Sequence, residues 1–417
     1  MGPEPGRVKK NLRIVSWALY DTANQFFVLN IVSLYFVRWV TLEKGAPEIF
    51  YSLAFGVSTF FVAFFSPVLG TMADITKRHK PALIFLTLLS VAFTFLMGLT
   101  QNLPLALAFF AVANFGCQQA IIFYNALMLN VAPGSRVGLV SGMGKMFGYF
   151  GAFLALLFTK PVLAGYGYQA VFFLTAGLFL FFSLPCLIFV KDSAETRDAP
   201  PKVSLDMKLF YSVFRRLKET IFGKNENLAL QEFLKAAFFG LAVINIIMLF
   251  MSVYATRVFG LNEGEIVSFI GFGVFFAVIG SIGAGILSDR FGYKRVLVYV
   301  FVLWILCLFG GGILIAPWHW LVGAISGLAL GATWVVSRAL VIRIVPKEKT
   351  AEAFGFFNLV GYVSGIIGPL IWGLILLVVR PLGVFGYRLA LLSLIPLLII
   401  GLLYLRRIPN LREESFD

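Results

Sequence analysis

Three ionisable side chains lie inside long apolar runs of this sequence: Asp21, Lys145 and Arg338. An ion at the centre of a membrane-spanning helix costs about 2.5–3.5 kcal/mol on insertion scales, so such residues commonly bind a solute, an ion or one another. At a rise of about 1.5 Å per residue, all three lie roughly 12–13 Å inside the same edge of their runs. We therefore predict that they lie at one level and can meet.

Three roles are open for Asp21. It is a fixed partner of Lys145 that holds the first run to the fifth, or it works with Arg338 in binding a solute or gating its path. The third role is that of a proton carrier. Each role supplies the counter-charge or the proton that a buried carboxylate needs.

Further polar and aromatic side chains recur near these charges at helical spacing. Trp17 and Asn24 share a helix face with Asp21, and Tyr20 and Gln25 flank that face. Asn114, Gln118 and Asn125 share a face in the fourth run, and Trp334 lies one turn before Arg338. The candidate solute-binding set is therefore Trp17, Tyr20, Asp21, Asn24, Gln25, Gln118, Asn125, Lys145, Trp334 and Arg338.

The composition is that of a protein with many membrane-spanning helices. Of the 417 residues, 60% are hydrophobic and 13% are charged, whereas a soluble domain has roughly 25% charged residues. Twelve apolar runs of roughly 20 residues lie between residues 14 and 405, each long enough to cross a bilayer. The net charge of +14 comes from basic residues between the runs, so it indicates orientation and not nucleic-acid binding.

The distribution of lysine and arginine predicts the orientation. With the N-terminus in the cytoplasm, 26 of the 34 basic residues fall in inner segments and six in outer segments. We therefore expect both termini and the linker 191–233 to be cytoplasmic, in a bacterial plasma membrane. Apolar residues recur at helical spacing over 205–221, which predicts an amphipathic helix at the lipid surface or a plain helical connector.

The two halves of the chain, 1–190 and 234–417, are copies of each other. "PVLGTMAD" ends the second run and "GAGILSD" ends the eighth, and both lead into basic turns. An offset of 213 residues matches Gly142 with Gly355 and Tyr149 with Tyr362. The repeat predicts two six-helix bundles, related by an axis along the membrane normal, with a solute path between them. Glycines crowd the fifth and eighth runs, which favours close helix packing between the halves.

These loops resemble the signature of the major facilitator superfamily. The second copy has Gly285, Asp289, Arg290, Lys294 and Arg295, and the first copy keeps Gly70, Asp74 and Arg78 but has Ile75 where arginine is usual. The resemblance implies a cytoplasmic latch in which the aspartate faces the start of a helix from the other half. It also implies a cavity lined by the first, fourth, seventh and tenth helices.

A narrower resemblance covers most of the chain. "SWALYDTANQF", "FYNALMLNVAP" and "SRALVIRIVPKEKTAEAFGFFNLVGY" look like the family of the fungal vacuolar amino-acid effluxer of autophagy and its bacterial relatives. This family has an acid near the start of the seventh helix, where the present chain has Gly240, Leu241 and Ala242. The resemblance implies transport, with amino acids as one substrate class.

The residues that the sequence contains and those that it lacks limit the classes of function. The chain has no phosphate-binding loop of the type Gly-x-x-x-x-Gly-Lys, and its two histidines and three cysteines are isolated, so we expect neither an enzyme, nor a metal site, nor a cofactor. The first hypothesis is efflux of amino acids or similar metabolites by alternating access. The alternative is proton-coupled export of drugs or amphiphilic lipids. The expected partners are a small solute, membrane lipids and protons or another coupling ion, and the expected state is a monomer.

Overall fold

The computed structural model describes residues 5–46, 48–132, 136–192, 207–222 and 227–409, and these residues form helices without a β-strand. We number the principal helices α1 to α13. They are α1 (Pro5–Phe27), α2 (Glu48–Thr76), α3 (His79–Leu99), α4 (Leu103–Ala126), α5 (Val137–Phe189), α6 (Met207–Phe222), α7 (Leu228–Phe259), α8 (Glu263–Phe291), α9 (Tyr293–Ile313), α10 (His319–Ile344), α11 (Thr350–Val379), α12 (Gly383–Leu392) and α13 (Ile395–Arg407).

Within the described residues, ten helices are long and apolar enough to cross a membrane. One of them, α5, has 53 residues, more than twice the roughly 20 that a bilayer requires. Gly167 interrupts it with φ 76° and ψ −174°, a conformation outside the helical region, so α5 contains two successive spans. With α1 and its π-helical continuation counted as a further span, the helices correspond to the twelve predicted runs.

Side-chain caps explain where several spans begin. Asn102 accepts a hydrogen bond from the N–H of Leu105 at 3.0 Å, at the start of α4. At the start of α8, the side chain of Asn262 accepts from the N–H of Glu265, whose carboxylate accepts from the N–H of Asn262. This reciprocal pair is a capping box, and it satisfies two main-chain donors that a helix start leaves without partners.

The first span changes its helical pitch in its second half. Residues Val28–Leu34 and Trp39–Glu43 are π-helical, with short α-helical geometry between them. Asn30 lies in the first π segment, is fully buried, and donates to the hydroxyls of Thr159 and Thr175, each at 3.0 Å. Wider π turns often mark functional sites, and here they turn a polar side chain towards α5.

The predicted amphipathic helix is present as α6. Its Val213 and Leu217 are buried, whereas Lys208 and Lys218 are exposed. Phe210 stacks on Phe64 of α2, with ring centroids 5.3 Å apart. The remaining parts of the linker prediction, 193–206 and 223–226, lie outside the described residues, as do the chain ends.

The chain divides into two compact units. The first comprises 1–134, 143–210 and 347–355, and the second comprises 135–142, 211–346 and 356–417. The first turns of α5 therefore belong to the second unit, and the first turns of α11 belong to the first unit. The first unit has a core of aromatic rings in which Phe36 stacks on Phe110 and on Trp39. In the second unit α8 and α10 pack through glycine, since a Cβ on Gly280 would clash with the main chain at Leu328.

Candidate functional site

In the first unit, the buried carboxylate of Asp21 forms an ion pair with the half-buried Lys145. Lys145 Nζ lies 3.4 Å from Asp21 Oδ1, and Asp21 is 3% exposed. A Cβ on Gly144 would lie 3.1 Å from Asp21 Oδ2 and 2.8 Å from the ring of Trp17. The absence of a side chain at Gly144 therefore lets α5 approach α1 closely enough for the pair to form. The lysine supplies the counter-charge that a buried carboxylate needs.

An aromatic stack lies beside this pair. The ring of Tyr124 stacks on Trp17 at 4.5 Å and on Tyr20 at 4.9 Å. Trp17 Nε1 donates to the carbonyl of Tyr124 at 2.9 Å, and the hydroxyl of Tyr20 hydrogen-bonds the hydroxyl of Thr87. Trp17 and Tyr20 are fully buried, so they pack α1 against α4 in the interior of this unit.

The remaining polar candidates of the first unit differ in their surroundings. Asn24 is 3% exposed and accepts a weak hydrogen bond from the thiol of Cys117 at 3.7 Å. Gln25 and Gln118 are half-buried, and Asn125 is buried. Asn114, which the helical spacing placed on the face of Gln118, donates to the hydroxyl of Ser58 at 2.9 Å. It therefore holds α4 to α2.

Arg338 is held by the main chain and side chain of Ser141 in the second unit. Its Nη2 donates to the Ser141 carbonyl at 2.7 Å and its Nε donates to the Ser141 hydroxyl at 3.2 Å. That hydroxyl in turn donates to the carbonyl of Val335 at 3.0 Å. Arg338 is 3% exposed, and Trp334, one turn away, is half-buried. Ser141 was not among the predicted residues.

Asp289 caps the start of α5 within the second unit. Its two carboxylate oxygens accept hydrogen bonds from the N–H groups of Gly138 and Leu139, both at 2.8 Å. The hydroxyl of Tyr293 donates to the same carboxylate at 2.5 Å. A helix start is electropositive and has unpaired donors, so it is a favourable site for a carboxylate.

Asp74 makes the equivalent cap at the start of α11 within the first unit. Its oxygens accept from the N–H of Ala351 at 3.1 Å and of Glu352 at 2.8 Å. The imidazole Nε2 of His79 lies 3.0 Å from the carboxylate, and His79 Nδ1 lies 3.8 Å from Asp192. Asp192 itself caps α3, accepting from the N–H groups of His79 and Lys80.

Small residues allow both caps to form. A Cβ on Gly285 would lie 2.6 Å from the carbonyl of Gly138, and a Cβ on Gly142 would lie 2.6 Å from that of Ser281. In the first unit, a Cβ on Gly70 would clash with the carbonyl of Ala351. Gly70, Gly142 and Gly285 therefore allow the main chains of neighbouring helices to pass within van der Waals contact. The other glycines of α5, such as Gly148, pack against α1 instead.

The basic residues of the loop signature have separate contacts. Lys294 donates to the carbonyls of Arg406 and Ile408 at the end of α13, as Lys80 donates to that of Ile188 at the end of α5. A cation at a helix C-terminus complements the helix dipole. Arg290 lies 5.4 Å from the ring of Phe291, and both Arg78 and Arg295 are exposed.

Glu232 is a buried acid at the end of the predicted linker 191–233. The structure begins α7 at Leu228, so Glu232 lies inside this helix and is 4% exposed. Its carboxylate accepts from Lys235 at 3.2 Å. Glu232 therefore lies about one turn inside the start of α7. A run extended back to Leu228 would have included Glu232.

Comparisons with known proteins place the chain in one family. The model of the Major Facilitator Superfamily matches residues 22–369 and 236–416. The chain is 28% identical over 425 residues to the uncharacterized MFS-type transporter YxiO of Bacillus subtilis (strain 168), covering 96% of this chain and 95% of the relative. It is 26% identical over 384 residues to multidrug resistance protein MdtG of Serratia proteamaculans (strain 568), covering 89% and 88%.

A solved structure supports the same fold. The human organic anion transporter MFSD10 (TETRAN) superposes with a TM-score of 0.76 at 11% identity, covering 97% of this chain and 100% of that chain. The predicted helical transporter fold is thereby confirmed, and the protein is a multi-pass integral membrane protein. The chain belongs to the Major Facilitator Superfamily, whose members are transporters and not enzymes.

Proposed function

We propose that this protein exports small amphiphilic solutes by alternating access, and that proton exchange at Asp21 drives the export. The observation that carries the proposal is the ion pair between the buried carboxylate of Asp21 and the half-buried Lys145, with 3.4 Å between nitrogen and oxygen. Charged side chains within membrane spans are costly, so they are kept chiefly where they serve transport or hold helices together.

The length of the contact between the two side chains supports a role in exchange. A charge-assisted N–H···O contact is usually about 2.7–2.9 Å long, so the bond between Lys145 and Asp21 is a long one. A proton on Asp21 cancels the carboxylate charge and releases Lys145. A cationic or hydrogen-bond-donating group of a solute can displace Lys145 in the same way. Proton and solute then compete for one carboxylate, which is the requirement for exchange transport.

The choice of amphiphilic solutes rests on the relatives and on the surroundings of the pair. MdtG, at 26% identity, is named a multidrug resistance protein. In the present chain the rings of Trp17, Tyr20 and Tyr124 stack beside Asp21. A carboxylate next to aromatic rings suits a solute with an apolar body and a polar or cationic group.

A second candidate is the export of amino acids or similar zwitterions. The observation that favours it is the opposite charge of the two partners, since a zwitterion could offer its amine to Asp21 and its carboxylate to Lys145. The resemblance to the family of the fungal amino-acid effluxer points to the same class. The two candidates differ in whether Lys145 contacts the solute directly.

The two aspartate caps are proposed to act as latches during the cycle. Each joins a carboxylate to two main-chain N–H groups of a helix start. A cap that exists in one conformation and not in another shifts the equilibrium between them by its own free energy. Asp74 and Asp289 are therefore proposed to favour the same conformation and to open together.

The proposed setting is a monomer in a bacterial plasma membrane with both termini in the cytoplasm. The distribution of lysine and arginine supports this orientation. A cysteine introduced at Lys44 should react with an impermeant maleimide added to intact cells, whereas one at Lys202 should react only after permeabilisation. Labelling of both positions in intact cells would contradict the orientation.

Transport in proteoliposomes with an imposed pH gradient tests the proposed function. Ethidium represents a cationic amphiphile, and radiolabelled alanine represents a zwitterion. We expect gradient-driven movement of ethidium that Asp21→Asn abolishes, with Glu219→Gln as the control for loss of an exposed acid. Movement of alanine instead would support the second candidate. Transport by Asp21→Asn at the wild-type rate would refute the role of the pair.

A further inference from the structure

The imidazole of His79 lies between two carboxylates of the first unit. Its Nε2 lies 3.0 Å from Asp74 Oδ1, and its Nδ1 lies 3.8 Å from Asp192 Oδ1. The side chain of His79 is 19% exposed, so water can bring a proton to it. Histidine is the residue type that gains or loses a proton between about pH 5 and 8, and the proposed exchange at Asp21 does not use this one.

The two unequal distances indicate where the hydrogen of a neutral imidazole lies. A neutral ring has one N–H, and the carboxylate within hydrogen-bond distance is that of Asp74. Nε2 therefore carries the hydrogen, and Nδ1 faces Asp192 without one. A second proton would be placed on Nδ1, and Asp192 would then face an N–H and a positive charge. Asp192 is thus the group that stabilises a proton on this ring.

The other charged groups near His79 have different contacts. Lys80 Nζ donates to the carbonyl of Ile188 at 3.2 Å. Glu352, whose side chain is buried, contributes its main-chain N–H to the Asp74 cap. Charges exposed to solvent are weakened by ionic screening. Those on the neighbouring segments are Lys77, Arg78, Lys191, Lys347, Glu348 and Lys349.

A charged His79 would stand beside the start of a helix. Asp74, which accepts from His79, also accepts from the N–H groups of Ala351 and Glu352 at the start of α11. A helix start is electropositive, so a cation beside it is unfavourable. In the second unit the corresponding support of the cap is the hydroxyl of Tyr293, and tyrosine stays neutral over this pH range.

We propose that His79 is a second proton-binding site of this protein, and that its proton releases the Asp74 cap. The imidazolium keeps its contacts with Asp74 and Asp192 when the start of α11 moves away. Its repulsion of that helix start exists only in the capped conformation. A fall in pH through the range in which histidines titrate therefore favours the open conformation, and a rise in pH restores the cap. This inference rests on the proposed latch of Asp74 and is independent of Asp21.

The separation of two spin labels across the cap tests the site. Ile75, at the end of α2, and Lys349, just before α11, are exposed, and each is replaced by a nitroxide-labelled cysteine. The full-length protein is placed in nanodiscs and carries Asp21→Asn, so that Asp21 does not respond to pH. We expect the ratio of capped to open molecules to be about two- to fivefold lower at about pH 5.5 than at about pH 8.

Two substitutions of His79 should act in opposite directions. His79→Gln cannot take up a proton, so its ratio should be the same at both pH values and close to that of the reference protein at the higher pH. His79→Lys is charged throughout and should stay at the low ratio. A purely structural role of His79 would give a loss of the cap in both variants, and either variant tests the proposal if the other folds poorly.

Two further variants serve as matched tests. Asp192→Asn keeps an oxygen acceptor for the N–H groups of His79 and Lys80 and removes the charge, so the response to pH should become smaller. His319→Gln removes the second of the two histidines in the chain and should leave the response unchanged. A response that is lost in His319→Gln and kept in His79→Gln would overturn the proposal.

Asp74→Ala separates failure of the proton site from failure of the latch. If the spacing of the labels changes in Asp74→Ala and does not depend on pH in the reference protein, the latch stands and the proton site is refuted. If the spacing changes in neither case, both are refuted. A capped fraction that increases in acid would also overturn the proposal, because it would show that the charged imidazole supports the cap.

Discussion

The two compact units stabilise their buried charges in different ways. In the first unit Asp21 has a side-chain partner of opposite charge, Lys145, at 3.4 Å. In the second unit Arg338 donates to a carbonyl and a hydroxyl of one residue, Ser141. A proton on Asp21 would remove its attraction for Lys145, whereas a proton does not remove the neutral Ser141 acceptors of Arg338. We propose that the first contact serves exchange and that the second is a fixed contact.

The two aspartate caps also differ between the units, in the side chain that supports each carboxylate. Both carboxylates accept two main-chain hydrogen bonds, but the supporting side chain is His79 for Asp74 and Tyr293 for Asp289. His79 also faces Asp192, whereas the ring of Tyr293 lies 5.4 Å from the guanidinium of Arg343. The main-chain cap is therefore common to both repeats, and its support is specific to each.

Loss of Lys145 is expected to have the largest effect. Lys145→Ala removes the partner seen for Asp21, and breaking a buried ion pair costs about 3–5 kcal/mol, so we expect strongly reduced abundance in the membrane. Asp21→Asn combined with Lys145→Met removes both charges and should restore abundance without restoring transport. Normal abundance of Lys145→Ala, measured by blotting of membranes, would show that Asp21 does not depend on this pair.

Loss of the Arg338 guanidinium should have a larger effect than loss of the Ser141 hydroxyl. Ser141→Ala removes one acceptor and keeps the main-chain carbonyl, so we expect a loss of stability of about 1 kcal/mol and near-normal transport. Arg338→Met should impair transport severely while abundance changes less than in Lys145→Ala. Thermal unfolding in detergent and proteoliposome uptake measure the two effects. Equal damage by Ser141→Ala and Arg338→Met would contradict the proposed difference between the units.

Removal of either cap should shift the conformational balance by a moderate amount. Asp74→Ala and Asp289→Ala each leave main-chain donors without their carboxylate, which costs about 0.5–2 kcal/mol for a helix cap. We expect each to slow transport, and the double variant to be worse than either single one. The reaction of single introduced cysteines with maleimide, added from each side of the membrane, measures the balance between the two conformations of the transport cycle. Unchanged accessibility in the double variant would show that the caps are structural only.

Substitution of His79 or Tyr293, the side chains that support the two caps, should have the smallest effects on transport. His79→Gln and Tyr293→Phe each remove one hydrogen bond to a capping carboxylate, worth about 0.5–1.5 kcal/mol. Because His79 lies between two carboxylates, we expect His79→Gln to alter transport more than Tyr293→Phe. Transport rates at fixed pH compare the two, with Tyr211→Phe, an exposed tyrosine on α6, as the control. The opposite order would show that Tyr293 is the more important support.

Some features of the site followed from local chemistry. An acid in an apolar run needs a cation or a proton, so a partner for Asp21 was predictable, and Lys145 was one of the candidates. The resemblance to the major facilitator superfamily implied that the two loop aspartates face helix starts, where unpaired N–H groups stabilise a carboxylate. The partner of Asp21 was thus open to local chemistry, and the partners of the two aspartates came from the resemblance.

Other features depended on how each helix is turned about its axis. Asn114 and Gln118 are one turn apart, yet Asn114 is buried against Ser58 while Gln118 is half-buried. Trp17 and Tyr20 were predicted beside a solute path, and the structure stacks both on Tyr124 in the interior of the first unit. A small rotation of a helix about its axis decides which of its faces packs against a neighbouring helix. The spacing of residues along the sequence does not determine that rotation.

The sequence by itself determined that this is a helical membrane transporter with two repeated halves, because hydropathy, basic residues and the repeat are properties of the chain read in order. Tertiary structure alone decided that Ser141 holds Arg338, which is 197 residues away, and that Trp372 lines a crevice with residues from α7 and α9. Such contacts depend on packing between helices that are distant in sequence. Their geometry depends on every neighbouring side chain, because close-packed interiors leave little freedom to adjust.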